Sequence, residues 1–169
     1  MPKLEMEVEI AAPPERVWQV LANFEQYATW HPYLTIEGRA ELYARIMTSW
    51  RLSGSDQRTM RSRGTVWRLD LNEKLELIDG NPLLYQSKQF FYLTPTDKGT
   101  LLRHGVVISG FWAAWRFSHG HKIERLRPYR AAFEEALIRR LAGKPSKQTG
   151  QGNRRSRRVQ RAKKRSSHR

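Results

Sequence analysis

The chain has 169 residues, with 31 lysines and arginines against 16 acids and no cysteine. The missing thiols exclude disulfides, thiolate catalysis and cysteine-based metal sites, and no apolar run approaches the roughly 18 residues a membrane-spanning helix needs. The formal charge of +15 is unevenly placed: residues 143–169 carry 11 cations and no acid, whereas residues 1–142 hold the other 20 cations and all 16 acids, a net +4.

That shift divides the chain into a folded domain, 1–142, and a Lys/Arg-rich tail, 143–169, whose composition predicts disorder. A domain of this size buries roughly two thirds of its unfolded surface, enough for a core. Met1 to Glu5 hold no apolar stretch of signal-peptide length, so a cytoplasmic protein is the expectation.

Leu4 to Ile10 alternates, with Leu4, Met6, Val8 and Ile10 on one face and Glu5, Glu7 and Glu9 on the other, as in a half-buried strand. Pro13 and Pro14 stop it. Val17, Val20, Leu21 and Phe24 then recur at helical spacing, which predicts a helix over 14–23, and a second short helix over Glu25–Thr29 ends before Pro32. From Ile36 to Ser109 the period falls to two. Turn residues at Ser53-Gly54-Ser55-Asp56, Asp79-Gly80-Asn81-Pro82 and Pro95-Thr96-Asp97-Lys98-Gly99 separate about six strands, the pattern of an antiparallel meander. Ile123, Leu126, Phe133, Leu137 and Leu141 trace the stripe of a long last helix. Pro128 interrupts that stripe, and the reading favours a kink there over a helix that starts near Arg127. Strands grouped between helices argue for an α+β fold with an antiparallel sheet.

Several segments in this order carry a family likeness. Ala12-Pro13-Pro14-Glu15-Arg16-Val17-Trp18, the stretch Phe24 to Pro32 ending in Trp30-His31-Pro32, Gly99-Thr100-Leu101-Leu102 and Ser109-Gly110-Phe111 resemble the SRPBCC/START-related superfamily. This superfamily includes pollen allergens and polyketide cyclases. The likeness covers residues 4 to about 142. It implies a helix-grip fold: a curved antiparallel sheet wrapped around a long C-terminal helix, two short helices after the first strand, and an apolar cavity between sheet and helix. It does not carry catalysis with it. Where many relatives have a Glu-His pair this chain has Lys88-Gln89, and where they place a late Glu it reads Val106-Val107. No catalytic residue is transferred.

The more apolar strand face takes Ala44, Ile46, Thr48, Trp50 and Leu52, then Trp67, Leu69, Leu75 and Leu77. It continues through Tyr85, Ser87, Gln89, Phe91 and Leu93 to Leu102, His104, Val106 and Ile108. Greasy walls with a few polar groups suit a ligand pocket, and they suit a plain core equally. In the pocket reading Trp50, Trp67, Phe91 and Ile108 supply apolar contact, Gln89 and His104 orient polar ligand atoms, and Trp112 helps close the mouth. His104 shows no carboxylate on a neighbouring strand, which argues against a general base. Phe111 to Phe117 packs four aromatics into seven residues, a lid or membrane-touching patch if exposed and a core element if packed on Trp30. His119-Gly120-His121 lacks further ligands, and neither a metal nor a cofactor is assigned.

The first functional expectation is therefore non-catalytic binding of a small hydrophobic or aromatic molecule, lipid, polyketide-like or quinone-like. An alternative is a cyclase/dehydrase-like enzyme that shapes a flexible substrate. A third is a nucleic-acid- or ribosome-associated protein. Arg154, Arg155, Arg157, Arg158, Arg161, Lys163, Lys164 and Arg165 would then meet RNA or DNA phosphates without sequence preference. The same cations suit an anionic membrane surface, and in a eukaryotic cell they read as a nuclear-import signal.

Overall fold

The computed structural model describes residues 1–51, 59–112 and 120–143. Strand β1 (Lys3–Ile10) alternates as its sequence demands, with Leu4 and Ile10 buried and Glu7 and Glu9 exposed. Proline cannot donate to a further ladder rung but is at home in a helical first turn, so Pro13 ends the strand and Pro14 opens α1 (Pro14–Leu21). Val17, Trp18 and Leu21 bury one side of that helix. The second helical segment is split: a 3-10 turn (Phe24–Gln26) runs into α2 (Tyr27–Trp30).

Six strands follow, β2 (Leu34–Glu37), β3 (Arg45–Arg51), β4 (Thr59–Asp70), β5 (Lys74–Asn81), β6 (Tyr85–Thr96) and β7 (Gly99–Ser109). They form a meander, and β1 returns to pair with β7 from Lys3 opposite Val107 to Ile10 opposite Thr100. The sheet order is β1-β7-β6-β5-β4-β3-β2, antiparallel throughout. Only glycine fits the β6–β7 corner, because Gly99 has φ +141° and a Cβ there would lie 2.2 Å from the Ile10 carbonyl oxygen.

The natural twist of so long a sheet curls it into a half-barrel. A 3-10 stretch (Gly120–Leu126) and helix α3 (Arg127–Leu141) close its hollow side. The kink anticipated at Pro128 does not occur. The α-helix begins at Arg127 and Pro128 occupies its first turn, where the missing N–H has no partner to lose and the fixed φ is already helical. Gly143, at φ +67°, ends the helix with its N–H on the Arg140 carbonyl at 3.2 Å.

Phe133 and Leu137 of α3 sit fully buried in a core shared with Val17, Leu21, Tyr27, Val66, Leu75 and Leu102. A smaller cluster, Leu4, Val106, Ile108 and Ile123, packs beneath the 3-10 stretch. Among the described residues no helix is long and apolar enough to cross a membrane.

One expected inner-face residue lies outside. Val66 faces Leu77 but Arg68 faces Glu76, so one residue of β4 is supernumerary and Trp67 is turned outward, 54% exposed. Its ring meets the edge of Tyr43 at 6.1 Å, and Leu69 returns inward opposite Leu75. Counting by twos through Trp67 assumes an unbroken ladder, and this bulge resets the count.

Candidate functional site

The polar groups of the concave face come from three directions. His104 stands on β7 between Met6 of β1 and Phe91 of β6, directly opposite it in the two ladders. Phe133 of α3 covers its ring at 5.0 Å, and the next residue of the helix, Glu134, brings Oε1 to 2.8 Å from Nε2. Burial drives the imidazole pKa down to about 3, with repulsion from Arg130 adding to it, and burial raises the Glu134 carboxyl.

A neutral imidazole has one N–H to place. Nε2–H donating to Glu134 leaves Nδ1 as an acceptor. The reverse arrangement, with a protonated Glu134 donating to Nε2, would strand an N–H at Nδ1, the costlier omission. Nδ1 is sealed and has no hydrogen-bond partner among the described residues. The pair therefore presents an oriented lone pair inside an apolar surround. The strand pattern predicts no carboxylate near His104. The helix supplies it rather than a strand.

Gln89 lies on the same face between Leu77 and Val106, 2% exposed. Farther along, Thr48 donates to Asp79 Oδ2 at 3.2 Å, while Oδ1 has no donor in bonding geometry among the described residues. Burial raises the Asp79 carboxyl, and Ser87, Thr48 and Trp50 beside it offset part of that rise.

At the β2–β3 side an aromatic group frames the entrance to α3. Trp50 is half-buried and stacked on Tyr33 at 5.7 Å, and Tyr33 meets Tyr129 edge-on at 5.5 Å and His31 at 4.7 Å. His31 Nδ1 accepts the Leu34 amide at 3.1 Å, which puts its proton on Nε2. Burial and Arg130 hold His31 well below the ordinary histidine range.

The structure brings Trp50, Gln89, Phe91 and His104 to this concave side. It sets Ile108 apart, in the small cluster under Ile123. Trp112 is at a rim. Phe111 and Trp112 are 75% and 53% exposed, and their amides bond the carbonyls of Leu83 and Leu84 at 2.9 Å each. The two apolar tips thus form one stitched ledge, and neither aromatic is buried on the first helices. Trp67 belongs to the outer surface, where the β4 bulge turns it. Arg154, Arg155, Arg157, Arg158, Arg161, Lys163, Lys164 and Arg165 lie outside the described residues.

Glu134 and Arg130 escape a reading of apolar periodicity, although a signal exists. With Phe133 and Leu137 they fall at 130, 133, 134 and 137, one helical face, so two charges interrupt an otherwise buried stripe.

A curled antiparallel sheet gripping a long C-terminal helix, with isolated polar groups on the concave face, defines an α+β protein of the helix-grip class. Residues 1–142 match the family described as polyketide cyclase/dehydrase and lipid transport, and the chain belongs to that family. Among curated proteins, none matches the sequence. Solved structures share the fold at low identity. SA2116 of Staphylococcus aureus, a protein of unknown function, is 11% identical with a TM-score of 0.65, over 83% of this chain and 93% of that one. A Rhodobacter sphaeroides protein is 19% identical with a TM-score of 0.65, over 84% of this chain and 93% of its own. DynU16, a putative protein in the dynemicin biosynthetic locus, is 17% identical with a TM-score of 0.64. That match spans 86% of this chain and 49% of DynU16.

Proposed function

We propose that residues 1–142 form a non-catalytic carrier or sensor for a small hydrophobic or aromatic molecule, lipid, polyketide-like or quinone-like, held between the sheet and α3. The observation that carries this reading is unused hydrogen-bonding capacity on an apolar wall. His104 Nδ1 and, farther along the same face, Asp79 Oδ1 are buried without partners among the described residues. Proteins rarely leave such groups unpaired, and a ligand hydroxyl that donates to them satisfies them. The family's description, which includes lipid transport, points the same way.

Native mass spectrometry of gently purified full-length protein tests this. A co-purifying mass that organic extraction removes, and that fails to appear with a Gln89→Leu, His104→Phe variant, is the expected result. Consistently empty protein that also takes up no neutral apolar dye refutes it.

A second reading, a cyclase/dehydrase-like enzyme, draws on the 2.8 Å His104–Glu134 contact. A carboxylate that fixes the tautomer and leaves one ring nitrogen free is the arrangement a general base requires. The burial that makes Nδ1 a weak base, at a pKa of about 3, favours orientation of the ligand over proton abstraction.

A further inference from the structure

Arg130 lies in the first turn of α3 and is 5% exposed. Among the described residues no carboxylate stands within ion-pair distance of it, no hydrogen bond leaves its guanidinium, and it stacks on no aromatic ring. Its charge acts on His31, Tyr33 and His104, which come from the α2–β2 connection and from β7. All three are neutral at pH 7, since both histidines are held below their ordinary range and burial keeps the Tyr33 phenol up at about 12. Glu134, one turn along the same helix face, already has its Oε1 on His104. Burial pulls the Arg130 pKa down, but arginine does not give up its proton in a protein.

A guanidinium largely removed from water needs an anion or a set of acceptors in place of that water. Here the surroundings are rings, a neutral phenol and two neutral imidazoles, and nothing described supplies the counter-charge. Structural arginines at such depth are normally forked onto a carboxylate. This one is placed where the helix enters the concave face, beside Tyr33, whose ring stacks on Trp50.

We propose that Arg130 recognises the acidic head of the bound molecule, and that the ligand class is an amphipathic carboxylic acid. Its apolar body lies along Trp50 and Phe91, and its single carboxylate pairs with the guanidinium fork. This deepens the carrier reading and rests on it. A planar carboxylate matches two parallel N–H donors of arginine, which an alcohol or ketone of equal size does not. The neutral Tyr33 hydroxyl is a second donor for the same head group.

The test uses the full chain, with N-phenyl-1-naphthylamine as a neutral fluorescent occupant and two matched competitors, dodecanoate and dodecan-1-ol. The expected result in the wild type is displacement by dodecanoate at a concentration about 10-fold lower than by the alcohol. Arg130→Gln should weaken the acid alone and bring the two together, while Arg130→Lys, a charge without the fork, should keep part of the difference. Equal displacement in the wild type, or an acid advantage that survives Arg130→Gln, overturns the assignment and leaves the apolar-carrier reading standing. No uptake of the dye and no effect of either competitor overturns both. The wild-type comparison needs no variant, so the assignment stays refutable even where the Arg130→Gln protein folds poorly.

Discussion

Glu134 Oε1 and His104 Nε2 meet at 2.8 Å across the interface between the closing helix and the last strand, 30 residues apart in the chain. The contact joins the two layers of the fold through a polar pair inside an aromatic shell. Phe91 lies parallel to the imidazole at 6.4 Å and Phe133 covers it at 5.0 Å.

Removing Glu134 leaves the His104 ring buried and unsatisfied, which costs about 1–3 kcal/mol, and removing His104 leaves a half-buried carboxylate without its donor. Glu134→Leu and His104→Phe should each lower the unfolding free energy by that order, and the double variant by less than the sum. Urea denaturation of the four proteins measures the coupling, expected at about 1–2 kcal/mol. Strict additivity would mean that the contact contributes nothing.

Stability should fall on mild acidification. His104 has a folded pKa of about 3, below the unfolded value near 6.5, and His31 is shifted in the same direction. Between those values the unfolded chain binds protons that the native state refuses, so each histidine withdraws up to about 1.4 kcal/mol per pH unit as pH drops from 6.5. The raised carboxyls of Asp79 and Glu134 act oppositely, since the folded state takes up their protons first. Denaturation midpoints at pH 7, 6 and 5 check this. The His104→Phe variant should show a shallower loss than the wild type, and an identical slope would refute the assignment of His104 to it.

Gln89 provides a test that separates folding from binding. It is 2% exposed, so Gln89→Leu, an apolar side chain of similar size, should change stability by no more than about 1 kcal/mol while ligand affinity falls. A loss above about 2 kcal/mol in chemical denaturation would show that the amide serves the fold.

The two tryptophans of neighbouring strands should behave unlike each other. Trp50 is stacked on Tyr33 at the helix entrance and Trp67 faces away from it at 54% exposure. Trp50→Ala is expected to weaken uptake of N-phenyl-1-naphthylamine, and Trp67→Ala to leave it unchanged with a stability change within about 1 kcal/mol. Dye titration and thermal melting of both variants decide it. A loss of uptake in Trp67→Ala would place the ligand on the outer surface.

Local pattern makes most of the architecture legible. The Leu4–Ile10 alternation, the double proline before Val17, the glycine-bearing turns and the Phe133–Leu137 stripe each state a period or a stop that short-range sterics enforce. The pattern misleads where two local rules compete. Pro128 satisfies a helix start as well as a kink, and only the 3-10 geometry of Gly120–Leu126 ahead of it selects the start. Trp67 obeys the period of two until the bulge beside Val66, which has no signature in composition.

Hydrophobic periodicity acts over a few residues, so the order of elements and the family were legible before any long-range packing was known. The tertiary structure alone decided the chemistry of the concave face. Which side of the bulge Trp67 takes, which acid reaches His104, and that Arg130 is buried without an anion all depend on how a curled sheet meets a helix. The His104–Glu134 pairing spans 30 residues, a distance over which only packing and the cost of burying charge determine the neighbours.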